Sequence, residues 1–422
     1  MRQALRQVLF SDPIDQWARG SIAAWDFTTG VARWNYARVG RYSATPGLAF
    51  TRASTGYADD LGGRVLSFAS GQLRRIDGRG ALIEGARTNS FLQSQTFQTS
   101  WAPDNLLAFG SGSTVDAIAA PDGTTTADLI TEDSTAATFH RLVLAIAVTN
   151  APWTMSVYAK AGTRNWISLQ NATDAQRAWF DLTNGVVGTQ TSCTGTIRAL
   201  ANGWYRCSMT CTPASAASKS FGINIASADN TTNYNGDGAS GLYIWGAQLE
   251  LGAHVSSYIP TTTASATRAA DSITITGVTG LDYPLTLFAE FERAVDTGGA
   301  ERIIGVSDNS TNNRAEMFVG ATDTLDSVIT AGGAAQGNPT ITGALSVGTV
   351  YKGALRIAAN DAVMARSGSV GTADTSITLP SAPTTIHFGA GISGATPSFG
   401  WLRKAAIWMP GQADSQLQDL TR

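Results

Sequence analysis

Residues 241–275, GLYIWGAQLELGAHVSSYIPTTTASATRAADSITI, begin as a packed strand and end as a thread. Leu242 and Ile244 alternate with Tyr243 and Trp245, the period of a strand that is apolar on both faces. One face is core, and the aromatic face then needs a cover of its own, from the Tyr258 segment or from another subunit. Pro260 biases Ile259 toward an extended state and ends the strand's pairing. Residues 261–270 hold no large apolar side chain, so order there requires backbone partners. The stretch reads as a seam between two sandwich-like domains.

On its N-terminal side the pattern is β throughout. In WTMSVYAK, Met155, Val157 and Ala159 face away from Ser156, Tyr158 and Lys160. RAWFDLTNGVVG carries Asn184-Gly185, a hairpin signal. GWYRCSMTCT separates Tyr205, Cys207, Met209 and Cys211 from Trp204, Arg206, Ser208 and Thr210. On the C-terminal side, LTLFAEFER, RIIGVS, AEMFVG, YKGALRIAA and WLRKAAIWM make a second set, and 413–420 reads as a closing helix capped by Asp414 or Ser415. Residues 2–10 carry Leu5, Val8 and Leu9 on one helical face, stopped at Asp12-Pro13. The expected fold is all-β: two antiparallel β-sandwich (jelly-roll) domains with a small N-terminal attachment region. The expected boundaries are 1–90 for that attachment or oligomerisation region, 91–262 for the first sandwich, 263–271 for an extended linker and 272–422 for the second sandwich.

Composition excludes several classes. The 422 residues include 14% charged and 43% hydrophobic side chains, with a formal charge of -3. That balance suits turn-rich β structure. Arg2, Arg6, Arg74, Arg75 and Arg79 are scattered among acids rather than clustered on a basic face, so no nucleic-acid partner is expected. No apolar run approaches the ~20 residues of a membrane span, so no membrane insertion is expected, and the N-terminus lacks the apolar core of a signal peptide. Cys207 and Cys211 lie roughly 13 Å apart along one strand, too far to bridge; free thiols are expected, and a bridge from Cys193 to either one stays open. The three histidines have no zinc spacing.

A resemblance extends this reading. ALIEGARTNSFLQSQTF, APDGTTTADLI, SVYAKAGTRNWISL, WFDLTNGVVGT, NGWYRCSMT, GDGASGLYIWGAQLELGAHVSSYIPT and TRAAD follow in order over residues 81–271. They resemble a carbohydrate-binding-like jelly-roll module of tailed-bacteriophage structural proteins: tail fibres, head fibres and minor structural proteins. LAFTRASTGYADDLGGRVLSF resembles the segment that often precedes it, and the last 150 residues resemble a concanavalin A-like or laminin-G-like domain. The resemblance implies a virion fibre or spike subunit that recognises host cell-surface glycans during adsorption, head- or tail-attached and assembled in the host cytoplasm. It implies other virion proteins as partners of the N-terminal region and a homo-oligomer, with a trimer favoured. A purely structural decoration or baseplate subunit and a polysaccharide depolymerase are the alternatives.

Sugar recognition needs exposed aromatic faces beside planar polar groups. The candidates are Trp204 with Arg206, Trp166 with Arg164, and Trp245 with Tyr243, with Trp179 and Trp101 behind them. Oxygen-rich turns make calcium the one candidate cofactor: Asp229, Asn233, Asn235 and Asp237 in one, Asp308 and Asn312 in another. No catalytic residue is expected. Glu290 and Glu292 share a strand face at about 6.7 Å, within the range of glycosidase carboxylates, but their same-face neighbours Phe288 and Ala294 are not acidic. They are read as solvent-facing.

Overall fold

The structure, a computed structural model, describes residues 17–34, 48–392 and 400–422. The helix expected over residues 2–10 and its stop at Asp12-Pro13 lie outside the described residues. The chain divides into two compact units. One holds the described residues up to Ala53 with Ser70–Gly85 and Ala269–Arg422; the other holds Ser54–Ala69 and Ala86–Arg268. Both are antiparallel sandwiches, as the alternation requires. The stretch 20–90 is not a unit by itself. Its strands Ala23–Asp26 and Gly80–Ile83 pair with Gly400–Trp408, while Gly56–Asp59 and Val65–Phe68 form a hairpin of the other unit.

The unit containing Ala86–Arg268 has two six-stranded sheets. The first runs Thr114–Ala119, Thr125–Thr131, Gly241–Leu251, Trp153–Lys160, Trp204–Cys211 and Thr194–Ala199. The second runs Val186–Thr191, Gln176–Asp181, Trp166–Asn171, Ala217–Ala226, His140–Val148 and Ala102–Asp104. The core between them takes the predicted faces: Met155, Val157, Cys207, Met209, Leu242 and Ile244 from the first sheet, and Ile167, Leu169, Phe180, Phe221 and Ile223 from the second. The Asn184-Gly185 turn closes a hairpin that pairs Asp181 with Val186, with Gly185 at φ 66.

The aromatic strand Gly241–Leu251 finds its cover within its own unit. The strand stops at Leu251, nine residues before Pro260, and the chain folds back. Buried Glu250 accepts from Ser256 N and Oγ, and buried Gln248 accepts from Ile259 N at 2.8 Å. This seats Tyr258 against Trp245 and Tyr158, with Tyr57 of the 56–68 hairpin beyond it. The thread obtains backbone partners, because Ala266–Arg268 pairs with Arg87–Asn89.

The other unit packs a nine-stranded sheet, centred on Leu285–Arg293 and Gly400–Trp408, against an eight-stranded one, with a continuous apolar core between them. Asp271 anchors the start of its C-terminal portion. Its buried carboxylate accepts from Arg52 at 3.0 Å, from Arg74 and from Glu84 N at 2.9 Å, while Arg74 also binds Glu84 at 2.5 Å. The closing helix spans Asp414–Thr421, and its cap is Ala413 rather than Asp414 or Ser415. Gln416 Oε1 accepts from Ala413 N at 2.8 Å, the half of a capping box that the third helical residue supplies.

Candidate functional site

The aromatic face flagged in the sequence is closed. Trp204 is 1% exposed and Trp245 0% exposed, packed with Tyr158, Tyr258 and Val65 under the hairpin. Their indole N–H groups are satisfied inside the unit, by Ala119 O and Thr126 Oγ1. Arg206 is buried too: it donates to Ser256 O and Ser156 Oγ and lies over Tyr158. The expectation that Trp204 and Arg206 form an exposed platform is corrected, because a second layer covers that sheet. Tyr243 packs half-buried against the same cluster, and Trp101 lies in the core.

Arg164 has another task. It binds buried Glu132 through Nε at 3.0 Å and Nη2 at 2.5 Å, and the bond to Glu132 holds its guanidinium further into the charged form. Glu132 also accepts from Tyr234 Oη and Asp237 N, so this pair ties down the Asp-rich turn. Within that turn, Asp229 accepts from Thr189 N and Oγ1, Asn235 from Ala137 N, and Asp237 from Ala239 N, Ser240 N and Ser240 Oγ. The bonds from Ser240 hold the Asp237 carboxyl well below its usual range. Asn233 is exposed. In the other turn Asp308 accepts from Ser310 and Asn313, and the Asn312 amide N donates to Ser310. Asp237 and Asp308 bond within their own turns, while Asp229 and Asn235 tie theirs to Thr189 and Ala137, and among the described residues no group of three or more His, Cys, Asp and Glu is arranged to hold a metal.

Two further expectations change. Glu290 is buried, not solvent-facing: it pairs with Arg403 at 2.9 Å and Lys404 at 3.2 Å. Glu292 is half-buried, 3.8 Å from Arg79. The three cysteines are unbridged. Cys193 Sγ donates to Arg177 O, and burial pushes the Cys211 thiol up to about 12.

The second sheet carries a different outward face. Core positions Ile167, Leu169, Ala178, Phe180, Phe221, Ile223 and Ile225 alternate with outward positions, and the register aligns these in two rows. Trp179, Ser168, Asn224 and Arg141 form one row; Arg177, Gln170, Gly222 and Val143 form the next. Trp166 lies one position along, the only one of the six predicted glycan contacts on this face. Five side-chain atoms here are buried and have no hydrogen-bond partner among the described residues: Ser168 Oγ, Gln170 Nε2, Asn224 Oδ1, Arg177 Nε and Trp179 Nε1. Folded proteins seldom leave such atoms unmatched. They combine donors, an acceptor and a hydroxyl, the groups that match sugar hydroxyls.

Half-buried Phe139 lies against this face, with Arg141 4.6 Å and Arg177 5.1 Å from its ring centroid. Arg177 is also 5.4 Å from the Trp179 ring. Gly222 makes room: a Cβ there would stand 2.6 Å from Gln170 Nε2. That glycine inside an otherwise apolar-alternating strand was the one sequence signal for the site, since such a glycine marks close approach.

No family model matches the chain, and no curated protein matches it. Solved structures do. The CBM40 domain of the Ruminococcus gnavus IT-sialidase bound to α2,3-sialyllactose shares 9% identity over 33% of this chain and 82% of that one, with a TM-score of 0.30. Domain 4 of the Geobacillus stearothermophilus GH43 extracellular arabinanase, in complex with arabinotriose, shares 12% over 40% and 82%, with a TM-score of 0.31. Domains LG4-5 of the mouse laminin α1 chain share 13% over 64% and 86%, with a TM-score of 0.23. The fold itself rests on the two sandwiches of antiparallel sheets.

Proposed function

We propose that this protein is a virion fibre or spike subunit that recognises host cell-surface glycans through the outward face of the second sheet in the Ala86–Arg268 unit. The observation that carries the glycan reading is the set of five buried, unmatched polar atoms on Ser168, Gln170, Asn224, Arg177 and Trp179, gathered around aromatic rings. The virion setting rests on the ordered resemblance over residues 81–271. Such a subunit acts in several copies, as a homo-oligomer and by the same resemblance a trimer, held to other virion proteins through its N-terminal region. Individually weak sugar contacts then sum through multivalency.

Recognition without cleavage is favoured over depolymerisation because Glu290 is already paired with Arg403 and Lys404. The test is a glycan array probed with the full chain, followed by product analysis on any hit. Selective retention with no new reducing ends supports the proposal. Release of fragments sinks the non-enzymatic reading, and silence from a folded, assembled sample leaves a structural subunit.

A further inference from the structure

The sign of the charge on this face points to the class of sugar. Arg141 is neutralised by Asp104 at 2.8 Å. Arg177 has no carboxylate within ion-pair distance among the described residues. Its guanidinium donates to two neutral acceptors, Thr232 Oγ1 at 2.8 Å and Gln170 Oε1, and its Nε has no partner there. Burial and then the neighbouring Arg141 both act against its charged form. A guanidinium removed from water is costly unless an anion compensates it. The faces of Phe139 and Trp179 offset part of that cost.

Arg206 also has only neutral acceptors, but it is 6% exposed, closed under the Ser256 return. Arg177 is half-buried on this face, and Ser168, Asn224 and Trp179 beside it are buried, so a ligand reaches their unmatched atoms by displacing what covers them.

We infer that the ligand of this face is an acidic saccharide, its carboxylate received by Arg177 and its hydroxyls by Ser168, Asn224 and Trp179. This rests on the glycan-binding reading above and narrows it. Guanidinium and carboxylate match in a planar, two-pronged geometry, and Arg177 can exchange its neutral acceptors for a charged one without leaving its place between the rings.

The test uses the full chain and calorimetric titration with matched pairs: trigalacturonate against its methyl ester, and a glucuronate-containing disaccharide against its carboxyl-reduced form. At least one acid should bind ten-fold or more tightly than its neutral partner, with the margin shrinking as salt rises. Gln170→Glu places a carboxylate on Arg177 at constant shape. It should raise the melting temperature and abolish the preference for the acid, as should Arg177→Gln. If neutral partners bind as tightly as acids, and Gln170→Glu leaves both the ratio and the melting temperature unchanged, the acidic-ligand inference is overturned while glycan binding stands. If no member of either pair binds the folded protein, and a broad neutral array is also silent, both fall together.

Discussion

Replacing Asp271 by asparagine removes the anion on which two buried guanidinium groups converge. Asp271 has no exposed surface, nor has the Arg52 or Arg74 side chain. The substituted amide could still accept from one arginine, but its N–H groups would face the other, donor against donor. Glu84 remains as an acid for Arg74 and Gln72 O as an acceptor for Arg52, so each group keeps part of its compensation. Breaking a buried pair by removing one partner costs about 3–5 kcal/mol. For a unit of roughly 150–250 residues each kcal/mol moves the melting temperature by about 2–4 °C. The expected result is a drop of roughly 6–20 °C in the transition of the Ala269–Arg422 unit, followed by calorimetry. The transition of the Ala86–Arg268 unit should keep its own midpoint. A shift below about 2 °C would refute the reasoning, because the two arginines would then be compensated by something other than Asp271.

Three other outcomes follow from the same physics. Gly222→Ala should displace the Gln170 amide from Arg177, costing about 1–2 kcal/mol after the gain from removing a strand glycine, and should weaken ligand binding; chemical denaturation and titration read both. Burial raises the Asp128 carboxyl to about 6, so its ionisation opposes folding: the penalty is absent below about pH 4 and grows as pH rises through 6. Asp128→Asn should therefore stabilise the protein at pH 7.5, by up to roughly 3 kcal/mol, and leave it unchanged near pH 4, as thermal melts across pH would record. His387 is held neutral by burial, its value lowered to about 4, beside Ser307 Oγ at 2.9 Å. Its contribution is complete above pH 6.5 and lost as pH falls through 4, so His387→Gln should flatten the acid limb of the stability profile in that window.

The strands were legible because each writes its two faces into a single local run. WTMSVYAK, GWYRCSMTC and the Asn184-Gly185 turn led to the right core faces and the right hairpin. The cover of Trp245 was legible in part, since the Tyr258 segment that the strand called for does pack on it, but the burial of Trp204 and the second layer beyond were not. That layer comes from Tyr57 and Val65, more than a hundred residues earlier, and only the fold brings that hairpin onto the sheet. The polar face was hidden for a related reason. Ser168 and Gln170 meet Asn224 and Gly222 across two strands separated by some fifty residues, and a lone Ser or Asn in a strand looks like any solvated position. Arg164 misled because a half-exposed arginine beside a tryptophan has the same local sequence whether it meets ligand or Glu132. The asparagines and aspartates near residues 229–237 and 308–312 read equally as metal ligands or as turn formers; Asp237 and Asp308 bond within their turns, and Asp229 and Asn235 reach distant backbone at Thr189 and Ala137.

Ser168→Ala tests the central claim most directly. Ser168 Oγ is buried and has no protein partner among the described residues, so its removal relieves an unmatched hydroxyl and should hold or raise the melting temperature, not lower it. The measurement is retention of the full-length wild-type and variant chains on a glycan array, with melting temperatures recorded on the same samples. The account predicts selective retention by the wild type, and at least a several-fold loss in a variant that remains fully folded. Retention unchanged in the variant would contradict it, because the sugar would then lie elsewhere on the molecule.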